Sequence, residues 1–161
     1  MRTQEEIIER IEQKKQLDIF GVHVGRLCHY LTWENAKPYY QEEWIKKVES
    51  GEEKYGQGEL TRDNVIAEIA QYMPFAWDKA NNCRGLSAGQ SIEHMNALCW
   101  LLGEDDLVEK MEDPGEYYNY GKPLLEIICE KFELDWKQWD NGYRGNSEDD
   151  QVKVVEGARG R

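Results

Sequence analysis

The chain has 161 residues with 32 acidic and 20 basic side chains, a formal net charge of −12 on about one domain's worth of sequence. No apolar run approaches the roughly 18 residues of a membrane span, and the opening MRTQEEIIER lacks the apolar stretch of a signal peptide, so a soluble, cytoplasmic protein is expected. The acid excess, with no basic stripe, argues against direct binding to nucleic acid or anionic membranes, where Lys and Arg must neutralise phosphates.

Leu, Ile, Val and Phe make up 33 residues, close to the roughly 20% floor below which highly charged chains tend to disorder. Six Trp and nine Tyr add bulk, which predicts a core rich in aromatics. Cysteines at 28, 83, 99 and 129 form no close pair, so reduced thiols are expected rather than a disulfide framework.

Thr3 and Glu6 form a capping box ahead of Ile7, Ile8 and Ile11, which predicts a first helix over 4 to 16. From Asp18, the residues Phe20, Val24, Leu27 and Leu31 keep helical spacing, and Gly21 and Gly25 suggest a close helix crossing; a short strand over IFGVHV is the weaker alternative. Pro38 punctuates the chain before a helix over 41 to 50, with Trp44, Ile45 and Val48 inward, and residues 51 to 60 read as a loop.

Thr61 caps a strongly periodic segment through Val65, Ile66, Ile69, Tyr72 and Met73, where Pro74 predicts a kink or break before the helix continues. NNCRG is a polar turn with Gly85 in the left-handed position. Ser87 with Gln90 reads as a second capping box, opening a central helix with Ile92, Met95, Leu98, Cys99, Leu101 and Leu102 that Gly103 stops.

Residues 104 to 116 hold seven acids against Lys110 alone. A last helix over 123 to 132 follows, with Pro123 in its first turn, and then Trp136 and Trp139 as an aromatic lid. The prediction is an all-α, compact bundle of about six helices over residues 1 to 140, followed by a weakly structured tail, 141 to 161, in which QVKVV is a candidate edge strand.

Three chemical motifs fail on context. GLSAG matches a nucleophile elbow, yet the residues before it are polar and helical, and His94 lies seven residues from Ser87, roughly 10 Å along a helix. Cys28, His29, Cys83, His94 and Cys99 lack the short spacings of zinc sites. Around Gly142, Lys137 and Trp139 stand where an EF-hand needs carboxylates. No catalytic residue, metal or cofactor is assigned.

Two features remain. Asp78, Arg84, Ser87, Gln90, Ser91 and His94 cluster at a helix junction, where free N–H groups and the Arg84 guanidinium suit a phosphate or carboxylate, although a tight connection uses the same cap residues, with Asp78 and Arg84 pairing to pin the turn. The acids Glu104, Asp105, Asp106, Glu109, Glu112 and Asp113 are either a solvated face or a docking face for a basic partner, with Trp100 as an aromatic anchor if it is exposed, although packing against the N-terminal helices is the commoner role for such an indole.

FAWDKANNCRGLSAGQSIEHMNALCWLLGEDD, followed by YGKPLLEIICEKFELDWKQWDNG, resembles a family of small proteins encoded by bacteriophages and mobile elements. The resemblance spans most of residues 1 to 140, including FGVHVG and AKPYY, and is most specific over 75 to 102. It carries no established reaction, so Arg84, Gly85, Ser87, Ser91 and His94 belong to its motif without a catalytic role.

What it implies is a phage setting, and hence an accessory protein that acts on a host or phage protein, for instance as an inhibitor of a nuclease-based defence system such as CRISPR. The leading expectation is therefore a non-enzymatic protein that occludes a basic surface. A small-anion or nucleotide site, or a minor enzyme, at 78 to 94 and a homodimeric scaffold are the alternatives.

Overall fold

In a computed structural model, residues 1–18, 21–82, 85–112 and 122–143 are described, with the backbone alone for 85–89. Among the described residues the regular structure is entirely helical: α1 (Gln4–Lys14), α2 (Val22–Cys28), α3 (Trp33–Ala36), α4 (Glu42–Glu49), α5 (Arg62–Asn81), α6 (Gly85–Leu101), α7 (Asp105–Met111) and α8 (Lys122–Lys131), with 3-10 turns at Lys37–Tyr39 and Trp136–Gln138. No described helix is long and apolar enough to cross a membrane. Phe20, and the tail from residue 144 with QVKVV, lie outside the described residues.

The local signals act as their chemistry requires. The Thr3 side chain accepts from the Glu6 backbone N–H while the Glu6 carboxylate accepts from the Thr3 N–H, so α1 has its reciprocal cap. Thr61 caps α5 by accepting from Asn64 N–H. Gly103, with a φ of 77°, takes the left-handed conformation that ends α6.

α6 is the central helix and packs against α5, α2 and α7. Its residues from Met95 to Leu101 are all buried, which explains its wide apolar face. Ile7 and Ile11 of α1, Leu27 of α2, Ile69 and Met73 of α5, and Leu124, Leu125 and Ile128 of α8 complete the core around it.

Several sequence expectations require correction. Pro74 neither breaks nor ends α5, which runs through it as one 20-residue helix; the lost N–H and the exposed ring are tolerated on the solvent side. Gly85 begins α6 rather than ending α5, so Ser87 lies inside the first turn and is not its cap. An added Cβ at Gly25 meets nothing within 4 Å, so Gly25 faces solvent, and α2 packs through His23, Leu27 and Cys28 instead.

The core is also mainly aliphatic. Tyr30, Trp77, Trp100 and Phe132 are the described aromatics buried within it. Trp33, Tyr40, Trp44 and Tyr55 instead form a half-buried cluster with ring centroids 5.1–6.4 Å apart. It sits beneath α4, whose Trp44, Ile45 and Val48 are only partly covered rather than inward. The lid does form, with Trp136 stacked on Trp77 at 5.5 Å and 7°.

Candidate functional site

The acidic segment begins at the turn after α6 and continues along α7, and much of its charge is used inside the molecule. Glu104 faces Arg62 at 3.7 Å and Lys131 at 3.5 Å. Asp105 accepts from Arg2 at 2.6 Å, and Glu112 accepts from Lys14 at 2.8 Å. Asp106 and Glu109 are exposed, while Asp113 lies outside the described residues.

Trp100 is not an exposed anchor. Only 8% of it is accessible, because the Arg2 and Arg10 guanidinium groups lie over its ring at 4.5 and 5.2 Å. Arg2 Nε also donates to the Trp100 carbonyl at 2.8 Å. The indole is thus the floor beneath two cations, an arrangement that favours arginine over lysine.

Arg10 leads into a buried polar network between α1, α2 and α6. Its Nη2 donates to Asn96 Oδ1 at 3.1 Å and to Glu112 Oε2 at 3.4 Å, and its Nε donates to His23 Nε2 at 3.4 Å. His23 Nδ1 lies 2.9 Å from Glu93 Oε1. Because a guanidinium only donates, His23 Nε2 must accept and its proton sits on Nδ1, facing the carboxylate.

Burial and the Arg2 charge lower the Arg10 pKa, and the nearby Glu112 and Glu93 carboxylates oppose that shift. His23 is 1% exposed and both its ring nitrogens are engaged, so it bridges helices and offers no proton to a solute.

A second network lies on the α5 side of α2. Glu68 accepts from Arg26 at 3.0 Å and from the Tyr30 hydroxyl at 2.6 Å. Arg26 in turn lies over the Tyr72 ring at 5.5 Å, and His94 stacks on that ring at 4.3 Å. Burial, then the Glu68 hydrogen bond and charge, push the Tyr30 pKa up, so the phenol stays a donor. Burial and then the Arg26 charge lower the pKa of His94, whose Nδ1 is enclosed without a hydrogen-bond partner.

The junction residues are therefore divided. His94 belongs to the Tyr72 stack, whereas Asp78 is exposed and accepts from Asn82, through its carbonyl at 2.7 Å and its carboxylate at 3.3 Å. Gln90 and Ser91 are half-buried on the first turns of α6. Arg84 and the Ser87 side chain lie outside the described residues, and with them the expected Asp78 to Arg84 pair.

Sequence reasoning missed Arg10, His23, Arg26, Glu68 and Glu93 as a group. Their signal is charge at core-facing positions: His23 and Arg26 stand one turn apart on α2, and Glu93 stands one residue before His94 within an apolar pattern. No protein-family model, curated protein or solved structure matches the chain.

Proposed function

We propose that this protein is a non-enzymatic interaction protein that docks on a basic surface of another protein and occludes it. The observation that carries this reading is the one-sided use of charge. Arg2, Arg10, Lys14, Arg26, Lys37, Arg62, Lys122 and Lys131 all pair with acids of the same chain. The chain nevertheless carries 12 more acids than bases, so the excess remains negative toward a partner.

The docking face is the exposed part of the acidic segment, Asp106 and Glu109 of α7, which is tied to α1. The Arg2–Asp105 and Lys14–Glu112 bonds tether these two helices to one another, so the face is carried on an anchored element. The resemblance of residues 75 to 102 to proteins of bacteriophages and mobile elements supports placing the partner among host or phage machinery, a nuclease-based defence system being one example. Acidic mimicry of nucleic acid is the mechanism that fits such a target.

The test is capture of partners by the tagged full chain from host lysate, with nuclease treatment and at low and high salt. The expected result is a stoichiometric basic protein that survives nuclease and is released by salt. The doubly reversed variant Asp106→Lys/Glu109→Lys should then associate more slowly while unfolding at the same urea concentration, because both side chains are exposed. Unchanged association of this variant refutes the acidic-face mechanism.

A further inference from the structure

A cavity of about 400 Å³ opens between the C-terminal end of α2, the loop before α5 and the first half of α5. His29, Gly58, Glu59, Asn64, Glu68 and Gln71 line it, and among the described residues no lysine or arginine does. The volume falls within the range of small-ligand sites, and two carboxylates, those of Glu59 and Glu68, stand in the lining.

Glu68 is the fixed point of this wall. Its side chain is 11% exposed, and each carboxylate oxygen already accepts one bond, from Arg26 and from the Tyr30 hydroxyl. A carboxylate has about four acceptor positions, so capacity remains on the cavity side. Arg26 offsets the Glu68 charge, which leaves the Glu59 carboxylate as the net charge at the mouth. Asn64 donates one of its two Nδ2 hydrogens to the Glu59 carbonyl at 3.0 Å, and its Oδ1 can still accept.

The loop packs closely against this wall. The Gly58 N–H donates to the His29 carbonyl at 2.8 Å, which draws the loop against the end of α2. An added Cβ at Gly58 meets His29 Nε2 at 2.5 Å and Tyr30 Cε1 at 2.9 Å. Any larger residue therefore drives the imidazole out of its place in the wall, and only glycine leaves both the ring and the cavity where they are.

We infer that this cavity is a guanidinium site, which takes either the arginine side chain of a basic partner or a free guanidinium compound. The acceptors of Glu59, Asn64, Glu68 and Gln71, of which Glu68 is held in place by Arg26 and Tyr30, suit a planar fork of N–H donors that is weakly hydrated and gives up water readily. As a receptor for a partner's arginine, the site rests on the interaction reading above; as a site for a free compound, it does not.

The experiment is a titration of the isotope-labelled full chain, followed through the backbone amide signals of His29, Gly58 and Ala67. The probes are agmatine, an acetylated Gly-Arg-Gly amide, and the same tripeptide with citrulline for arginine. Saturable shifts confined to these amides are expected with agmatine or the arginine peptide, and none with citrulline. Glu59→Gln and Gly58→Ala should each weaken binding by about tenfold, the scale of one charge-assisted hydrogen bond, and circular dichroism identifies any variant that has lost its fold.

Binding of the arginine peptide well above agmatine assigns the site to a partner's side chain, and the reverse assigns it to a free compound. Failure of both probes to saturate, or equal response to citrulline, overturns the site even if basic partners are still captured through α7. Saturation by agmatine with no basic partner captured refutes the interaction reading and leaves the site standing.

Discussion

His23 Nδ1 lies 2.9 Å from Glu93 Oε1, joining the buried side of α2 to α6 across their interface. With Arg10 donating to the opposite ring nitrogen, the imidazole is held at both ends and sets the rotation of α2. Its removal strands a half-buried guanidinium N–H, so His23→Phe is expected to cost about 1–3 kcal/mol. Glu93→Gln keeps an amide oxygen to accept from Nδ1, and should cost less. Urea midpoints decide the matter: an equal loss for both variants means that the proton is not on Nδ1.

A second buried charge fastens the C-terminal end of the domain. Lys122 is 3% exposed, and its ammonium reaches Asp140 at 2.9 Å, Asn141 Oδ1 at 3.0 Å and the Tyr143 carbonyl. Asn81 adds a bond from α5 to the Trp139 carbonyl at 2.7 Å. Lys122→Met removes the buried cation 2.9 Å from Asp140, at a cost of about 3–5 kcal/mol. Thermal unfolding of Lys122→Met beside Lys122→Met/Asp140→Leu checks this, because the double variant should recover part of the loss.

The pH profile of stability should show two acid limbs. His94 has a folded pKa below its ordinary 6.5, chiefly through burial and then the Arg26 charge. The unfolded chain therefore takes up this proton first, and stability falls as pH drops below about 6.5 until folded His94 also titrates. Burial pushes Glu112 up, but the Lys14 hydrogen bond and charge, with Asn96 and Arg10, outweigh it and hold the pKa below 4.5. That contribution is present above about 4.5 and is lost as pH falls through the folded value. Urea midpoints against pH for His94→Gln should lack the slope of the upper limb and keep that of the lower one, beside an offset at all pH from the lost Tyr72 stack.

Native thiols should resist alkylation at three positions. Cys28, Cys99 and Cys129 are buried, and burial pushes the Cys28 and Cys129 pKa values up to about 11 and that of Cys99 further. The thiolate is the reactive form, so peptide-level mass spectrometry after iodoacetamide treatment at neutral pH should find these three unmodified until denaturant is added. Labelling of Cys99 in the native chain would contradict the packing of α6.

The helices were legible because their signals are local. Thr3 with Glu6, Thr61, Gly103 and Pro123 act within a turn of themselves, and the period of Ile7 and Ile11 or of Ile69 and Met73 marks which side is buried. What escaped depends on partners distant in sequence. Packing of Trp100 against the N-terminal helices was legible as one of two roles for the indole, but not that Arg2 and Arg10 are the residues that cover it. The acids of 104 to 112 look unopposed for the same reason, since Arg2, Arg10, Lys14, Arg62 and Lys131 reach them only through the fold. The guanidinium cavity is likewise illegible, because Gly58 reads as one more loop glycine until its approach to His29 is seen.

The end of α8 carries a strain that can be removed. Glu133 has a φ of 58°, in the left-handed region, while the Leu134 N–H donates to the Cys129 carbonyl at 2.8 Å and closes the helix. That conformation costs an ordinary residue about 1–2 kcal/mol, and glycine takes it freely. The Glu133 side chain is exposed, so little packing is lost with it, although a glycine gives the unfolded chain more freedom. Glu133→Gly is therefore expected to raise stability by about 0.5–1 kcal/mol, read as a higher urea midpoint with unchanged slope. A lower midpoint would show that the carboxylate contributes more to the end of α8 than the backbone strain costs.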